Sequence, residues 1–500
     1  MTEKLFKELK TKFPDEFFIE EDVRLAYSFD SSFFYSIPKA VLIPKEKNKL
    51  IDVVSFLLEQ KIPITPRGRA TGRSGGSVPH PESVVVSIER IREKIEFYEE
   101  DEMLFCDPGY TIDEINNFLG KYGYFYPPDP ASSDVASIAG TVATNAGGPR
   151  ALKYGVTINY VKGLTVLLPD TTLLKTNGFL RKNKLFYSIN EIFVGSEGTL
   201  GLLIDFYLKV RKLPPYRKNI LIESEKKERV LKVSREIIKR EDVSLCEILE
   251  FYDKMLLWVE VEGEKSEVQR VIEDIKGKLD IEVIVPESEE KEREIISLRR
   301  RYSSIMWTLK GKKKSIDVTV PISKLDALFS FYREIEKKDG LKIIPYGHYG
   351  DGNIHTSIIF SKGEEGLAEK VKEEICDFVL SVGGTVTGEH GFGIKYIDYA
   401  KRFKEYSVME KIKRSLDPYN LFNPLKIEGN FKPSKYDPGE KDRLCVLCGV
   451  CNLYSENYKK FLREDKSTRG EIFIGKIKGN LKLSEENLNS LKECPVGFAI

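Results

Sequence analysis

The segment Pro66-Arg67-Gly68-Arg69-Ala70-Thr71-Gly72-Arg73-Ser74-Gly75-Gly76 limits the possible folds of this chain more than any other stretch. It follows an apolar run through Ile62 and Ile64, so a glycine-rich backbone leaves a short extended element and turns where side chains would crowd it. The N–H groups of such a loop can converge on an anion, with Thr71 and Ser74 as added hydroxyl donors and the arginines offsetting the negative charge. Pyrophosphate is the natural guest. The loop lacks the Gly-x-Gly-x-x-Gly turn into a helix and the Lys-Ser/Thr ending of an ATPase loop, which excludes both standard nucleotide motifs. A flexible surface loop is the bland alternative.

Three more segments of small residues follow in order. Pro127-Pro128-Asp129-Pro130-Ala131-Ser132-Ser133 is rigid and polar, and Ala139-Gly140-Thr141-Val142-Ala143-Thr144-Asn145-Ala146-Gly147-Gly148-Pro149-Arg150 leads to Lys153-Tyr154-Gly155. Val194-Gly195-Ser196-Glu197-Gly198-Thr199-Leu200-Gly201 then enters the apolar pair Leu203-Ile204. Small residues admit a large flat ligand, and Thr141, Thr144 and Asn145 offer hydrogen bonds to orient it. Around these loops lie short β-branched runs such as Val84-Val85-Val86. Further on, Leu257, Val259 and Val261 alternate as in a strand, and Val268, Val271, Ile272 and Ile275 recur at helical spacing, which reads as an α+β arrangement. Texture divides the chain into 1–213, 214–430 and 431–500. The 79 basic and 78 acidic side chains nearly cancel, so an electrostatic grip on nucleic acid is not expected. No run approaches the roughly 20 apolar residues of a membrane span, and the N-terminus lacks a secretory apolar core. A cytoplasmic protein is expected, either free or peripheral on the inner face of the membrane through a partner.

Three of the four histidines lie in two glycine-rich motifs, His348-Tyr349-Gly350-Asp351-Gly352-Asn353-Ile354-His355 and Gly388-Glu389-His390-Gly391-Phe392-Gly393. Two imidazoles and a carboxylate are a common shell for a catalytic divalent ion, with positions left open for substrate oxygens. Hydrogen-bonded core histidines are the alternative. In the tail, Cys445-Val446-Leu447-Cys448-Gly449-Val450-Cys451 and the distant Cys494-Pro495 match the ligand pattern of one [4Fe–4S] cluster. A four-cysteine zinc site is the competitor. Cys106, Cys246 and Cys376 are expected to be buried as small apolar side chains.

The four ordered glycine segments resemble the flavin-binding domain of the FAD-linked oxidase superfamily, which contains vanillyl-alcohol oxidase and p-cresol methylhydroxylase. The resemblance is nearest to the branch of the glycolate oxidase flavin subunit, D-lactate dehydrogenase and D-2-hydroxyglutarate dehydrogenase, and it covers roughly residues 20–427. It implies a two-part FAD-binding domain, a ferredoxin-like α+β substrate or cap domain, and a small C-terminal iron–sulfur module. Pro66, Arg67, Gly68, Arg69, Ala70, Thr71, Gly72, Ser74 and Gly75 would wrap the pyrophosphate of non-covalent FAD. Pro128, Ser132, Gly140, Thr141, Thr144, Asn145, Gly148 and Gly155 would line the flavin, and Glu197, Gly201 and Ile204 would close the nucleotide side.

By the same resemblance His348, His355 and Glu389 would bind one zinc, manganese or iron ion, His390 would take the proton of the substrate hydroxyl, and Arg299 would clamp the substrate carboxylate. Ser357 stands where relatives often carry a substrate-facing Asn. The tail resembles part of the iron–sulfur subunit that accompanies glycolate oxidase, although Ser455 occupies the place of a ferredoxin-like fourth cysteine. The implied function is oxidation of a 2-hydroxy acid, glycolate or D-lactate first, with electrons passing to an iron–sulfur or quinone-linked partner protein. A larger acid such as D-2-hydroxyglutarate, favoured by additional basic residues in the pocket, is one alternative. An electron-transfer subunit without its own hydroxyacid chemistry is another.

Overall fold

The computed structural model describes residues 2–176, 178–180, 182–250, 254–278, 282–306, 309, 311–437 and 445–494. Trp307 lies outside these, as do the side chains of Arg300 and Arg301. Among the described residues no helix is long and apolar enough to cross a membrane.

Two sheets share the first core. One has the strand order Phe17–Phe18, Ala40–Leu42, Val84–Ser87, Ile64–Arg67, with the last three parallel. The other is antiparallel, in the order Leu173–Lys175, Val161–Leu167, Leu202–Lys209, Met103–Cys106, Ile95–Tyr98. Val84, Val85 and Val86 are all buried, as expected of a central parallel strand with both faces covered. The glycine loop therefore leaves a rigid strand, Ile64–Arg67, at its carboxyl end.

From Tyr216 the chain builds a seven-stranded antiparallel sheet. Its first four strands, Tyr216–Ser224, Val243–Glu250, Met255–Gly263 and Glu282–Ile284, with the helices Lys227–Ile237 and Lys265–Lys278, form a βαββαβ unit in the spatial order 4-1-3-2. That is the expected ferredoxin-like pattern. The expectation of a single such unit is incomplete. Lys312–Thr319, Lys342–His348 and Asn353–Phe360, with helices Leu325–Asp339 and Glu365–Ser381, begin a second one, joined edge to edge where Val243–Glu250 pairs with Lys342–His348. The place of its fourth strand is taken by residues 385–390, whose ladder pairing with Lys312–Thr319 is, among the described residues, limited to the bridges Thr319–Thr385 and Asp317–Thr387. A segment that pairs so briefly is free to turn its next side chains, Glu389 and His390, out of the sheet.

After this domain the chain returns. Ile64 N–H donates to Leu421 O at 2.7 Å and Asn423 N–H to Ile64 O at 2.8 Å, and Leu421 and Phe422 enter the first core. The tail is not a separate module, contrary to expectation. Its small core joins Tyr436, Cys445, Leu447, Ile472 and Phe473 to Phe29, with Phe29 and Phe473 stacked at 4.2 Å. So short a segment cannot bury enough apolar surface alone, and it borrows that of the N-terminal region.

Arg150 ties the two large domains together. Its guanidinium meets Glu260 through Nε at 2.7 Å and Nη2 at 2.8 Å, and Asp129 through Nη1 at 2.6 Å. Burial opposes the charge of Glu260, yet Arg150 and Arg217 hold its pKa at about 2. Removing one member of a buried pair costs about 3–5 kcal/mol because the other is left charged and desolvated. Arg150→Met should therefore lower the urea midpoint by an amount of that size. The carboxyl's folded pKa lies below its unfolded value, so its contribution is complete above pH 4.5 and lost as pH falls toward 2; the difference between Arg150→Met and the parent should shrink across that interval.

Candidate active site

Asp317 is the centre of the constellation. It projects from strand Lys312–Thr319, only 3% exposed, and its Oδ2 accepts the backbone N–H groups of Glu389 and His390, each at 3.0 Å. The same oxygen lies 2.7 Å from His390 Nδ1, while Oδ1 lies 3.3 Å from His355 Nδ1 and accepts Asn353 Nδ2 at 2.8 Å. Burial works against its charge, but His390 and His355 outweigh burial and hold the carboxyl well below its usual range. One carboxylate thus positions the irregular segment and orients two imidazoles. Gly388 is required for this approach, since a Cβ there would run into Thr319 Oγ1 and Asn353 Nδ2.

With Nδ1 of His390 turned to Asp317, its Nε2 is left as a proton acceptor. His355 and His348 both face Glu389, whose Oε2 lies 2.9 Å from His348 Nε2 and 3.5 Å from His355 Nε2. The ligand atoms of His348, His355 and Glu389 all lie within 4.8 Å of one another. Glu247, fully buried, meets Nδ1 of His348 from behind. Both outer carboxylates therefore do for these histidines what such groups do for metal-bound imidazoles, fixing the ring and the tautomer. Burial disfavours the charge on His348, yet Glu247 and Glu389 keep its pKa at about 9; Asp317 and Glu389 do the same for His355, at about 10. The surrounding carboxylates favour positive charge between these side chains, and the donor set fits a divalent ion.

Arg299 reaches the same shell from helix Glu289–Ile305. Its Nε and Nη2 embrace Glu247, Nη2 to Oε1 at 2.6 Å, and Nη2 lies 3.3 Å from His348 Nδ1. It borders the cavity expected to receive substrate, but its charge is matched by Glu247.

A second cleft lies beside this constellation. Pro66, Arg67, Gly68, Arg69, Ala70, Thr71, Gly72 and Ser74 line it, with Ser132, Gly140, Thr141, Thr144, Glu197 and Gly201. Among the described residues, none accepts a hydrogen bond from the backbone N–H groups of Arg69 to Gly76. A run of unused donors on a buried loop is an anion cradle, and it fits the pyrophosphate of FAD. Arg67 and Arg69 turn elsewhere: Arg67 donates to Phe29 O, and Arg69 Nη2 donates to Gly109 O at 3.3 Å. Gly75, Pro128, Asn145, Gly148, Gly155 and Ile204 are not brought to this cleft. Asn145 caps a helix and accepts Ile158 N–H at 2.9 Å, Gly148 passes against the Asp129 carbonyl, and Ile204 is core. Glu197 accepts Phe392 N–H at 2.7 Å and Gly393 N–H at 3.0 Å, so it also anchors the segment after His390; burial pushes its pKa up to about 7 against those bonds.

Cys445, Cys448 and Cys451 follow one another toward the turn Val450–Leu453, and Cys448 and Cys494 both pack against Val446. All four are free thiols, and burial and their mutual proximity push those of the first three upward. Among the described residues no three of these sulfurs lie within 4.8 Å of one another, so the structure by itself assembles neither the expected iron–sulfur ligand set nor a zinc site from them. Ser455, where a further cysteine was sought, caps the helix Glu456–Phe461 by accepting Tyr458 N–H. Cys106, Cys246 and Cys376 are buried.

The orienting residues Asp317 and Glu247 escaped the sequence reading because no motif marks them, and Asn353, though inside the His348–His355 motif, carries no signal of its orienting role there. Strand register alone could have found Asp317, since it sits opposite His355 in the ladder.

Two family models match this chain: the FAD binding domain over residues 38–177 and the C-terminal domain of FAD linked oxidases over residues 227–427. Among similar proteins, the glycolate oxidase subunit GlcD of Bacillus subtilis (strain 168) is 32% identical, over 83% of this chain and 94% of its own length. A D-lactate dehydrogenase of Archaeoglobus fulgidus is 28% identical, over 80% and 95%. A D-2-hydroxyglutarate dehydrogenase of Stutzerimonas stutzeri is 27% identical, over 85% and 98%. Among solved structures, an alkyldihydroxyacetonephosphate synthase shares the fold with a TM-score of 0.68 at 17% identity, over 84% of each chain. The anion cradle of the first domain and the histidine shell of the second thus fall within two matched regions that occur together, and the chain belongs to the family of FAD-linked oxidases.

Proposed function

We infer that the chain is an FAD-dependent dehydrogenase that oxidises a 2-hydroxy acid to the 2-oxo acid. The observation that carries this reading is that Glu389 and His390 line both cavities, the one built by the glycine loops and the one in front of the histidine shell. A substrate held by the shell would therefore present its C2 to the flavin cleft. Bound FAD supplies the hydride acceptor, and a divalent ion held by His348, His355 and Glu389 supplies a Lewis acid for the hydroxyl. His390 Nε2 takes the hydroxyl proton, and Asp317 holds the ring so that this nitrogen, not Nδ1, faces the reacting group. Glycolate, lactate and 2-hydroxyglutarate appear in the names of relatives, and all offer the vicinal hydroxyl and carboxylate that such a shell binds.

The four tail cysteines are proposed to hold one [4Fe–4S] cluster, which would supply one-electron transfer to an iron–sulfur or quinone-linked partner. The sequence pattern Cys445-x-x-Cys448-x-x-Cys451 with the distant Cys494-Pro495 supports this over a zinc site, whose ligands usually come two and two.

Mixing the anaerobic, flavin-loaded protein with D-lactate, glycolate and D-2-hydroxyglutarate should bleach the flavin with at least one of them. No bleaching with the metal supplied would leave an electron-transfer subunit as the better reading. His390→Gln should retain FAD absorbance yet slow that bleaching by about 10²–10⁴, the usual contribution of a general base. Protein purified without oxygen should contain iron and acid-labile sulfide and lose both in Cys448→Ser. Zinc in their place would favour the competing site.

A further inference from the structure

The cavity in front of the histidine shell has a volume of about 380 Å³, within the range of small-ligand sites. At one end stand Glu389, His355 and His390. Its charges elsewhere are unequal. Arg299 is matched by Glu247, and Glu389 belongs to the cation shell. Asp134 and Arg293 also border the cavity, and Arg293 approaches Glu289 at 3.6 Å.

Two cations differ from these. Arg73, in the glycine loop, donates Nη1 to Ser303 Oγ at 2.7 Å, and the same hydroxyl accepts Tyr346 OH at 3.1 Å. Lys395, five residues beyond His390, donates to the Ser315 carbonyl at 3.5 Å and lies over the Tyr396 ring, 4.9 Å from its centroid. Both line the cavity and both are half-buried, and among the described residues neither has a carboxylate within 4 Å. Burial, with Lys372 and Arg73 nearby, pushes Lys395 down to about 8 against the opposing pull of Asp317, so the protein compensates its positive charge only in part. Positive groups so placed are costly unless an anion joins them. In the proposed reaction the α-carboxylate would be held, with the hydroxyl, by the divalent ion that His348, His355 and Glu389 would carry.

We propose that Arg73 and Lys395 receive a second anionic group of the substrate, so that the preferred substrates are 2-hydroxy acids with a terminal carboxylate or phosphate. The proposal rests on the reading of the chain as a 2-hydroxyacid dehydrogenase and adds its selectivity. Arg73 offers a planar fork suited to either anion and Lys395 a mobile point charge. Both come from segments that also line or follow the reacting centre, so recognition of the far end would fix C2 before His390.

The test is anaerobic flavin reduction by the holoenzyme with D-lactate and D-2-hydroxybutyrate against D-malate, D-2-hydroxyglutarate and 3-phospho-D-glycerate. At least one terminal-anion acid should exceed D-lactate in kcat/KM by about tenfold or more, as expected for a charge-assisted contact. The better arm identifies the anion as carboxylate or phosphate. In Arg73→Met and in Lys395→Met the ratio of that acid to D-lactate should fall about tenfold, mainly through KM, and Lys395→Arg should restore it. A wild-type ratio near one, or an equal loss for both kinds of acid in the variants, would overturn the proposal while leaving the dehydrogenase reading intact. If no acid bleaches the flavin, the dehydrogenase reading itself fails. Should Arg73→Met not load FAD, Lys395→Met decides, together with the affinity of wild-type enzyme for non-oxidisable glutarate against butyrate; equal affinities count against the second site.

Discussion

The shared carboxylate of Asp317 is the constraint on which the rest of the active site depends. It accepts two backbone N–H groups from a segment with almost no ladder pairing, and it faces two histidines from two different elements. Without it, the segment that replaces the fourth strand of the second ferredoxin-like unit would have little to hold it at sheet level. The same oxygen that fixes Glu389 and His390 in space also selects which imidazole nitrogen of His390 is free. Placement and protonation are thereby settled together, in a site that loops alone would leave loose.

Around this centre the protein works by nested pairing of charges. Arg299 neutralises Glu247, Glu247 orients His348, His348 meets Glu389, and Glu389 also meets His355. Each buried charge has an opposite neighbour, which is the condition for burying any of them. Arg73 and Lys395 stand outside this chain of pairs. That contrast is the ground for assigning them an external anion.

Much of this was legible in the sequence. Glycine density located the anion cradle because a loop that wraps a ligand must shed its side chains, and the spacing of His348, His355, Glu389 and His390 located the shell because those residues lie within short motifs. The strand over Leu257–Val261 and the helix over Val268–Ile275 followed from periodicity, since one face of each packs on the second core. Other features were not legible. Glu247 and Arg299 meet across 52 residues, and nothing local to either announces the other. Gly148 and Gly155 share the composition of ligand-lining glycines but serve backbone packing and a turn, because small residues answer both needs alike. The dependence of the tail on Phe29 and Arg69 also lies beyond reach of local pattern, because its core is assembled from both ends of the chain.

That last arrangement bears on how the molecule comes to be. Arg469, fully enclosed and paired with Glu464, donates to the carbonyls of Arg69 at 3.1 Å and Leu447 at 3.1 Å, so the rear of the glycine loop is held by a residue made 400 positions later. During synthesis the first domain must wait, with this side of its cradle open, until nearly the whole polypeptide has been made. Contacts this distant along the chain form late and slowly. The segment 445–494 therefore acts as a latch on the back of the loop, set only after the residues it holds have long been made.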